Sequence, residues 1–493
     1  MSKAFPFREG SWSAQQQRRI RVRNVVQSET QVYFTDRGWQ LTKKRYHGEH
    51  QFEVKEERLT QAMKIPKLFY AFALFTCAAI YVVYIKWNLN FKTKDAFDDL
   101  KKKRDSETGR TISYGIMFDA GSTGTRVHVF QFSQKPKEIP RLIHATFKAI
   151  KPGLSSYADD VDKCAEGINE LLTAAKSDVP MELWQSTPLV LKATAGLRLL
   201  PGEKAQKLLD KVKGIFQESP FLVRDDSVSI MDGTDEGISA WITVNLLTGI
   251  LNSPGKKGIG MLELGGGSTQ ITFPPSTKTT LENTSASHII SFQMFNSTYQ
   301  LYSYSYLGLG IRSARLQILG GVEGEALKEG EVLTSTCLSP DFQGEWEHAK
   351  IMYKIKGQKA EKSLFESCSD EIAKLLNQKI HKTDEVKDLD FYAFAYYYYL
   401  AVDVDLIDSE KGGTLAVNDF EATAKNVCKT MEVEQGEKPF LCMDLTYVSL
   451  LLEKLGFPKD YILKLARKIN NTETSWALGA ILHYMDSHHM LQY

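Results

Sequence analysis

The clearest pattern of apolar and polar positions runs from Tyr114 to Phe132. Tyr114–Phe118 is an apolar run ending in the acid Asp119, followed by the small residues Ala120, Gly121, Ser122, Thr123, Gly124 and Thr125. The chain then alternates, Val127 and Val129 on one face, His128 and Phe130 on the other. The pattern predicts strand, tight turn, strand. About 145 residues on, Gly258–Phe273 repeats the device: an apolar strand ending in Glu263, the turn Gly265, Gly266, Gly267, then Ser268, Thr269 and a second short strand. Taken singly, each reads equally well as an ordinary hairpin. As a pair, each with an acid before the glycines and Ser-Thr among or just after them, they predict an internal duplication.

Elsewhere the pattern divides the chain. Leu68–Ile85 is 18 residues without a charge, preceded by Lys64 and Lys67 and closed by Lys86 and Trp87. That is the length of one membrane-spanning helix with an aromatic at its boundary. Residues 1–67 carry 14 Lys/Arg against 7 Asp/Glu with little periodicity and read as a mostly unstructured tail. Residues 88–110, including Lys101–Arg104, form a polar stem. From 111 onward strand-like runs (Leu189–Leu191, Val228–Met231) alternate with amphipathic helical stretches (158–176, 202–217), which predicts two packed α/β lobes. The aromatic run Phe391–Tyr399 reads by default as a core helix.

Composition adds bounds. With 493 residues, 43% of them hydrophobic, the chain can form two or three domains with substantial cores. A net charge of +1 gives no global pull toward nucleic acid. Asn283, Asn296 and Asn470 begin Asn-x-Ser/Thr sequons, which require a lumenal location to be glycosylated. With four cysteines in the last third (Cys337, Cys368, Cys428, Cys442), they favour a tail-in, body-out orientation. No zinc-ligand spacing and no Ser-His-Asp arrangement is evident.

The chemistry points to phosphate. Glycine turns present backbone N–H groups to an anion at close range, and an acid at the strand end places a carboxylate where a cation would sit. No Gly-Lys-Ser/Thr follows either turn, so neither is a Walker loop. Glu236, at the start of a predicted helix, reads from the residues alone either as a general base or as a first-turn acid favoured by the helix dipole, with Asp235 its neighbouring candidate.

Five stretches stand in order: DAGSTGTR (119–126), ATAGLR (193–198), GTDEGISAWITVN (233–245), LELGGGSTQ (262–270) and TSWALGAIL (474–482). Together they resemble the conserved regions of the nucleoside triphosphate diphosphohydrolases, the apyrase family. The single N-terminal anchor resembles that of the short members. The resemblance implies an actin-like (ribonuclease H-like) two-lobed α/β fold with the nucleotide in the inter-lobe cleft, preceded by one transmembrane helix. It implies a tail over 1–67, a signal-anchor helix over 68–87, a stem over 88–110, a first lobe of 111–245 plus 471–493, and a second lobe of 246–470. The implied activity is hydrolysis of the terminal phosphate of nucleoside diphosphates, with GDP, IDP and UDP favoured and Mg²⁺ or Ca²⁺ as cofactor. Glu236 matches the catalytic base, and Thr194, Ser268 and Gln270 match positions that orient the attacking water. Gly121, Ser122, Thr123, Gly124 and Thr125, with Gly265, Gly266 and Gly267, match the phosphate loops. Asp119 and Glu263 match the metal positions, although relatives carry Asp where this chain has Glu263. Tyr398 is the candidate to stack on the base, and Arg198 reads as a brace of the fold. Of three possible cysteine pairings, the shorter loops, which the resemblance supports, join Cys337 to Cys368 and Cys428 to Cys442, leaving Cys164 free. The implied setting is a monomeric type II protein of the Golgi membrane with a lumenal body, also released after cleavage, and no nucleic-acid partner. The rival from another class is a nucleotide clamp without turnover, as actin-like folds also support.

Overall fold

The computed structural model describes residues 109–493, except 254, 278–279, 282–284, 435–436 and 492–493, together with residues 32–35, residues 38–41 and Tyr81. The expected membrane span lies outside the described residues but for Tyr81, as do the stem up to residue 108 and Asn283. Among the described residues no helix is long and apolar enough to cross a membrane. The tail departs from the expectation of little structure at one place, where Val32–Thr35 pairs antiparallel with Gly38–Leu41. Val32–Thr35 is made wholly of aromatic and β-branched residues, a strand signal that the charge of the tail obscures. Phe91–Tyr493 forms a separate compact unit.

That unit holds two sheets of the same design. The first is built from β1 (Thr111–Ala120), β2 (Thr125–Gln134), β3 (Arg141–Ile150), β4 (Leu189–Ala193) and β5 (Val228–Ile230), in the spatial order β3-β2-β1-β4-β5. β1, β2 and β3 pair antiparallel, whereas β4 and β5 run parallel to β1. The second contains β6 (Gly260–Leu264), β7 (Ser268–Phe273), β8 (Ile289–Met294), β9 (Ser297–Leu307), β10 (Phe391–Ala395), β11 (Gly413–Ala416) and β12 (Ile462–Leu465). Its order is β8-β9-β7-β6-β10-β12-β11. The central five, β9-β7-β6-β10-β12, repeat the order and strand directions of the first sheet. The duplication therefore extends from the two hairpins to whole lobes, and β8 and β11 are additions at the edges.

The alternation along β1 and β2 is explained by what lies behind each face. Ile116, Phe118, Val127 and Val129 pack against helices α1 (Cys164–Asp178) and α2 (Gly202–Gln217), while Met117 and Phe130 face α3 (Gly233–Leu247) and α5 (Trp476–Ser487). α5, the late element of small residues, is wedged against α3. A Cβ on Gly479 would lie 1.9 Å from Ser239 O, and a Cβ on Gly115 would lie 2.6 Å from Ile481 Cγ1. Gly479 N–H also donates to Thr243 Oγ1 at 2.8 Å. These absences of side chain set the position of α5, and with it Trp476 at its first turn.

The run Phe391–Tyr399 is not one helix. It is the strand β10 followed directly by α4 (Tyr396–Asp403), with Ala395 between them at φ 57°, ψ −126°. A central strand needs only short apolar runs, and seven aromatic residues in nine carry no period that separates strand from helix. Both expected disulfides are present, Cys337–Cys368 and Cys428–Cys442, and Cys164 is a free buried thiol.

Candidate active site

The two predicted hairpins close in the same way. Gly121 N–H donates to Gly124 O at 3.1 Å, and Gly265 N–H donates to Ser268 O at 2.9 Å. Each bond spans three residues and begins two residues after the acid. In each turn the next two N–H groups, those of Ser122 and Thr123 and those of Gly266 and Gly267, have no partner among the described residues. The two loops approach each other so closely that a Cβ on Gly266 would lie 2.5 Å from Ser122 Oγ. Unpaired N–H groups turned to a shared space form an anion-binding concavity.

Two cavities meet at these loops. One, of about 410 Å³, is lined by Asp119, Glu263, Glu236, Thr194 and Ser268 together with Arg126. The other, of about 870 Å³, has none of those residues in its wall and is lined instead by Lys151, Lys204, Arg312 and His348 among others. Ser122, Thr123, Gly267 and Tyr396 belong to both. The first, the acid cavity, therefore holds Asp119, Glu236 and Glu263 with Arg126 and Arg467; the second has a mixed wall in which Asp159, Glu323, Glu325 and Glu347 accompany the basic residues; and the phosphate loops stand between the two.

The acids are buried and gripped. Asp119 is next to last in β1, and its Oδ2 accepts from Arg126 Nη1 at 2.8 Å, while Oδ1 is buried with no partner among the described residues. Glu263, next to last in β6, has its Oε2 buried and unpartnered. Glu236 lies in the first turn of α3, whose N-cap Asp232 accepts from Thr234 N–H. Both donors to Glu236, Arg198 Nη2 and Gln270 Nε2, fall on Oε2, which leaves Oε1 as the oxygen for a water. Burial pushes the Glu236 carboxyl up to about 7; Arg198 opposes the rise and Asp119 adds to it. Burial likewise raises Glu263 well above the usual range, helped by the charges of Glu236 and Asp119, and raises Asp119 against the pull of Arg126. Asp235, one residue away, is exposed and lines neither cavity, so the geometry favours Glu236.

Comparison with known proteins decides the family. The model of the GDA1/CD39 (nucleoside phosphatase) family matches residues 105–493. The chain belongs to that family. It is an enzyme that hydrolyses nucleoside phosphates. It is 57% identical to ectonucleoside triphosphate diphosphohydrolase 6 of Homo sapiens over 454 residues, 90% of this chain and 94% of that protein. It is 50% identical to the nucleoside diphosphate phosphatase ENTPD5 of Homo sapiens over 376 residues, 76% and 88% of the two chains. Among solved structures, a nucleoside triphosphate hydrolase of Neospora caninum superposes with a TM-score of 0.56 at 14% identity, covering 82% of this chain and 98% of that one. That likeness carries the actin-like α/β fold.

Not every residue matched to this family's motifs stands where the motif suggests. Gly124 and Thr125 line neither cavity: Gly124 packs against Ile150 O, and Thr125 is buried as the first residue of β2. Gln270 is 1% exposed and outside both cavity walls; its amide donates to Glu236, Ser268 Oγ and Ser305 Oγ. Its Nε2 holds the base, while its Oε1 is buried without a partner among the described residues. Arg198 is more than a brace, since its guanidinium is bonded to Glu236. Tyr398 reaches the acid cavity; it is 3% exposed, packed in the second-lobe core, and its hydroxyl donates to Ser409 O at 2.5 Å. Aromatic faces more open to the cleft are Tyr396, in both cavity walls, Tyr399, 46% exposed, and Phe147, 41% exposed. Sequence reasoning missed Arg126 and Ser305. Gly233 is the signal for Ser305: a Cβ there would lie 2.3 Å from Ser305 Oγ and 2.4 Å from Arg198 Nη1.

Proposed function

We propose that this enzyme removes the terminal phosphate of nucleoside diphosphates, GDP, IDP and UDP above others, by attack of a water activated at Glu236. The observation that carries the reading is the division of the cleft. The attacking water and the leaving nucleotide must lie on opposite sides of the transferred phosphorus. Glu236, Asp119 and Glu263 line one cavity and not the other, and two loops of unpaired N–H groups stand between it and the larger one. The nucleoside enters the larger cavity, where Tyr396 offers a ring to the base and Arg312 and Lys204 offer charge. The terminal phosphate rests on the N–H groups of Ser122, Thr123, Gly266 and Gly267. Glu236 Oε1 takes the proton of a water that Thr194 and Ser268 orient, while Arg198 and Gln270 keep the carboxylate aimed.

Among the described residues no three His, Cys, Asp or Glu side chains converge to ligate an ion directly. Asp119 and Glu263, each with a buried unpartnered oxygen on the acid cavity, fit a divalent cation held through its waters, Mg²⁺ or Ca²⁺. When bound it would neutralise charge on the phosphate oxygens. Arg198, Gln270 and the hydroxyls act independently of which ion is used. Leu68–Ile85 as a single anchor, a lumenal body in the Golgi and glycosylation at Asn283, Asn296 and Asn470 belong to the same proposal. Asn296 fits it, lying exposed on the two-residue turn between β8 and β9. The test is phosphate release from GDP, UDP, ADP and GTP with Mg²⁺, Ca²⁺ or EDTA. Diphosphates should exceed the triphosphate, and EDTA should abolish release. Equal turnover of GTP and GDP would overturn the diphosphate reading, and tight GDP binding without release would favour the clamp.

A further inference from the structure

The duplication places Arg126 where the second lobe has Gln270. Asp119 lies opposite Arg126 across the first hairpin, and Glu263 lies opposite Gln270 across the second. Each cross-strand partner is seven residues after its acid. The two then diverge. Gln270 ignores Glu263 and grips Glu236, whereas Arg126 grips its own partner, Asp119. The site has made room for this contact: a Cβ on Gly121 would lie 2.8 Å from Arg126 Nη1. The guanidinium thus fills the space that a side chain at 121 would take. The charge of Glu263 acts on it as well as that of Asp119. Its side chain is 32% exposed, on the wall of the acid cavity.

We propose that Arg126 is a positioning residue for the reaction: by occupying Asp119 Oδ2 it presents Oδ1 alone to the cation, and its own charge keeps that cation loosely held. Two opposed effects follow from the contact. Orienting a ligand carboxylate favours metal binding, as outer-sphere partners generally do. A fixed positive charge beside the site repels a divalent ion, and inside a buried cavity this repulsion is screened far less than in water. The second effect dominates here because Asp119 is also anchored by the hairpin itself, as residue nine of a ten-residue strand paired on both sides. Removing the guanidinium therefore frees Asp119 to use both oxygens and removes the repulsion. The cation binds more tightly and turnover falls, because a carboxylate that chelates directly draws the ion away from the phosphate.

This inference rests on Asp119 and Glu263 holding the cation. The probe is Mn²⁺ alone, with binding followed by electron paramagnetic resonance in the absence of nucleotide, on the wild type, Arg126→Gln, Arg126→Lys and Asp119→Asn. Arg126→Gln installs the residue found at the matching place in the second hairpin. It should bind Mn²⁺ about tenfold more tightly and lose about 10–100-fold in kcat. Arg126→Lys keeps the charge, so it should return Mn²⁺ affinity to the wild-type value and recover part of kcat. Unchanged or weaker Mn²⁺ binding in Arg126→Gln, with wild-type affinity lost in Asp119→Asn, would overturn the role of Arg126 and leave the metal assignment standing. Wild-type affinity in Asp119→Asn would instead overturn the metal assignment itself. A purely structural arginine would lower the melting temperature of Arg126→Gln without moving the Mn²⁺ affinity.

Discussion

Residue by residue, the site is a set of acids that burial drives toward their neutral forms and arginines that pull them back. Glu236 shows the balance, with a carboxyl near 7. A base must be unprotonated to accept a proton, so kcat/KM should fall as pH drops through about 7. Arg198 lowers that value, and its replacement by Met removes the lowering influence. The acid limb of the Arg198→Met profile should therefore move to higher pH, and a limb that stays in place would show that Arg198 does not act on the base. Glu236→Gln should keep nucleotide binding, measured by calorimetry, and lose about 10²–10⁴-fold in kcat. Glu263 raises a separate question, because it reaches one methylene further than an Asp would. Mg²⁺ demands near-ideal octahedra while Ca²⁺ tolerates more varied ligand sets. Glu263→Asp should therefore raise activity with Mg²⁺ relative to Ca²⁺, read from metal titrations of both proteins on one diphosphate. The pairing of Arg198 with Glu236 was not legible in the sequence. The two are 38 residues apart and meet only because α3 starts beside the strand end after β4.

At the level of elements, legibility followed from period and punctuation. β1–β2 and β6–β7 were readable because alternation or an apolar run was broken by glycine at the turn, and the structure places both where the pattern does. The helix over 202–217 was readable from its apolar stripe. Phe391–Tyr399 was not, since the strand-to-helix junction is made by Ala395 at positive φ, without the glycine that would mark it. The small three-stranded sheet of Leu333–Ser335, Gln343–His348 and Ile351–Gly357 gave no warning either, because its strands are short and largely polar on their outer faces. α5 offers the element-scale prediction. With Ser239 O only 1.9 Å from the place of a Cβ, Gly479→Ala must push α5 off α3. Overpacking of this kind destabilises by about 1–3 kcal/mol. Urea unfolding should show that loss, and a Gly479→Ala protein as stable as the wild type would mean that the helices are not in fixed contact.

In the whole molecule, the two lobes are one design used twice and then specialised. Both sheets carry an acid, a glycine turn and a cross-strand partner at matching places. The first lobe supplies Asp119 with its arginine and, through α3, the base; the second supplies Glu263 and the residue that aims the base. The repetition of the hairpin was legible before any coordinates, whereas the order and number of the strands were not. The division of the cleft into two cavities was not legible either, because the wall of the larger one depends on residues such as Lys151, Lys204 and Arg312, which lie in no shared motif.

That division leads to the central claim, that water attacks the terminal phosphorus from the side of Glu236. Turnover of GDP in ¹⁸O-enriched water reads it directly, by mass spectrometry of both products. The account predicts one solvent oxygen in each released orthophosphate and none in GMP. Label in GMP would place the attack on the inner phosphorus, with the nucleoside on the opposite side of the loops, and would contradict it.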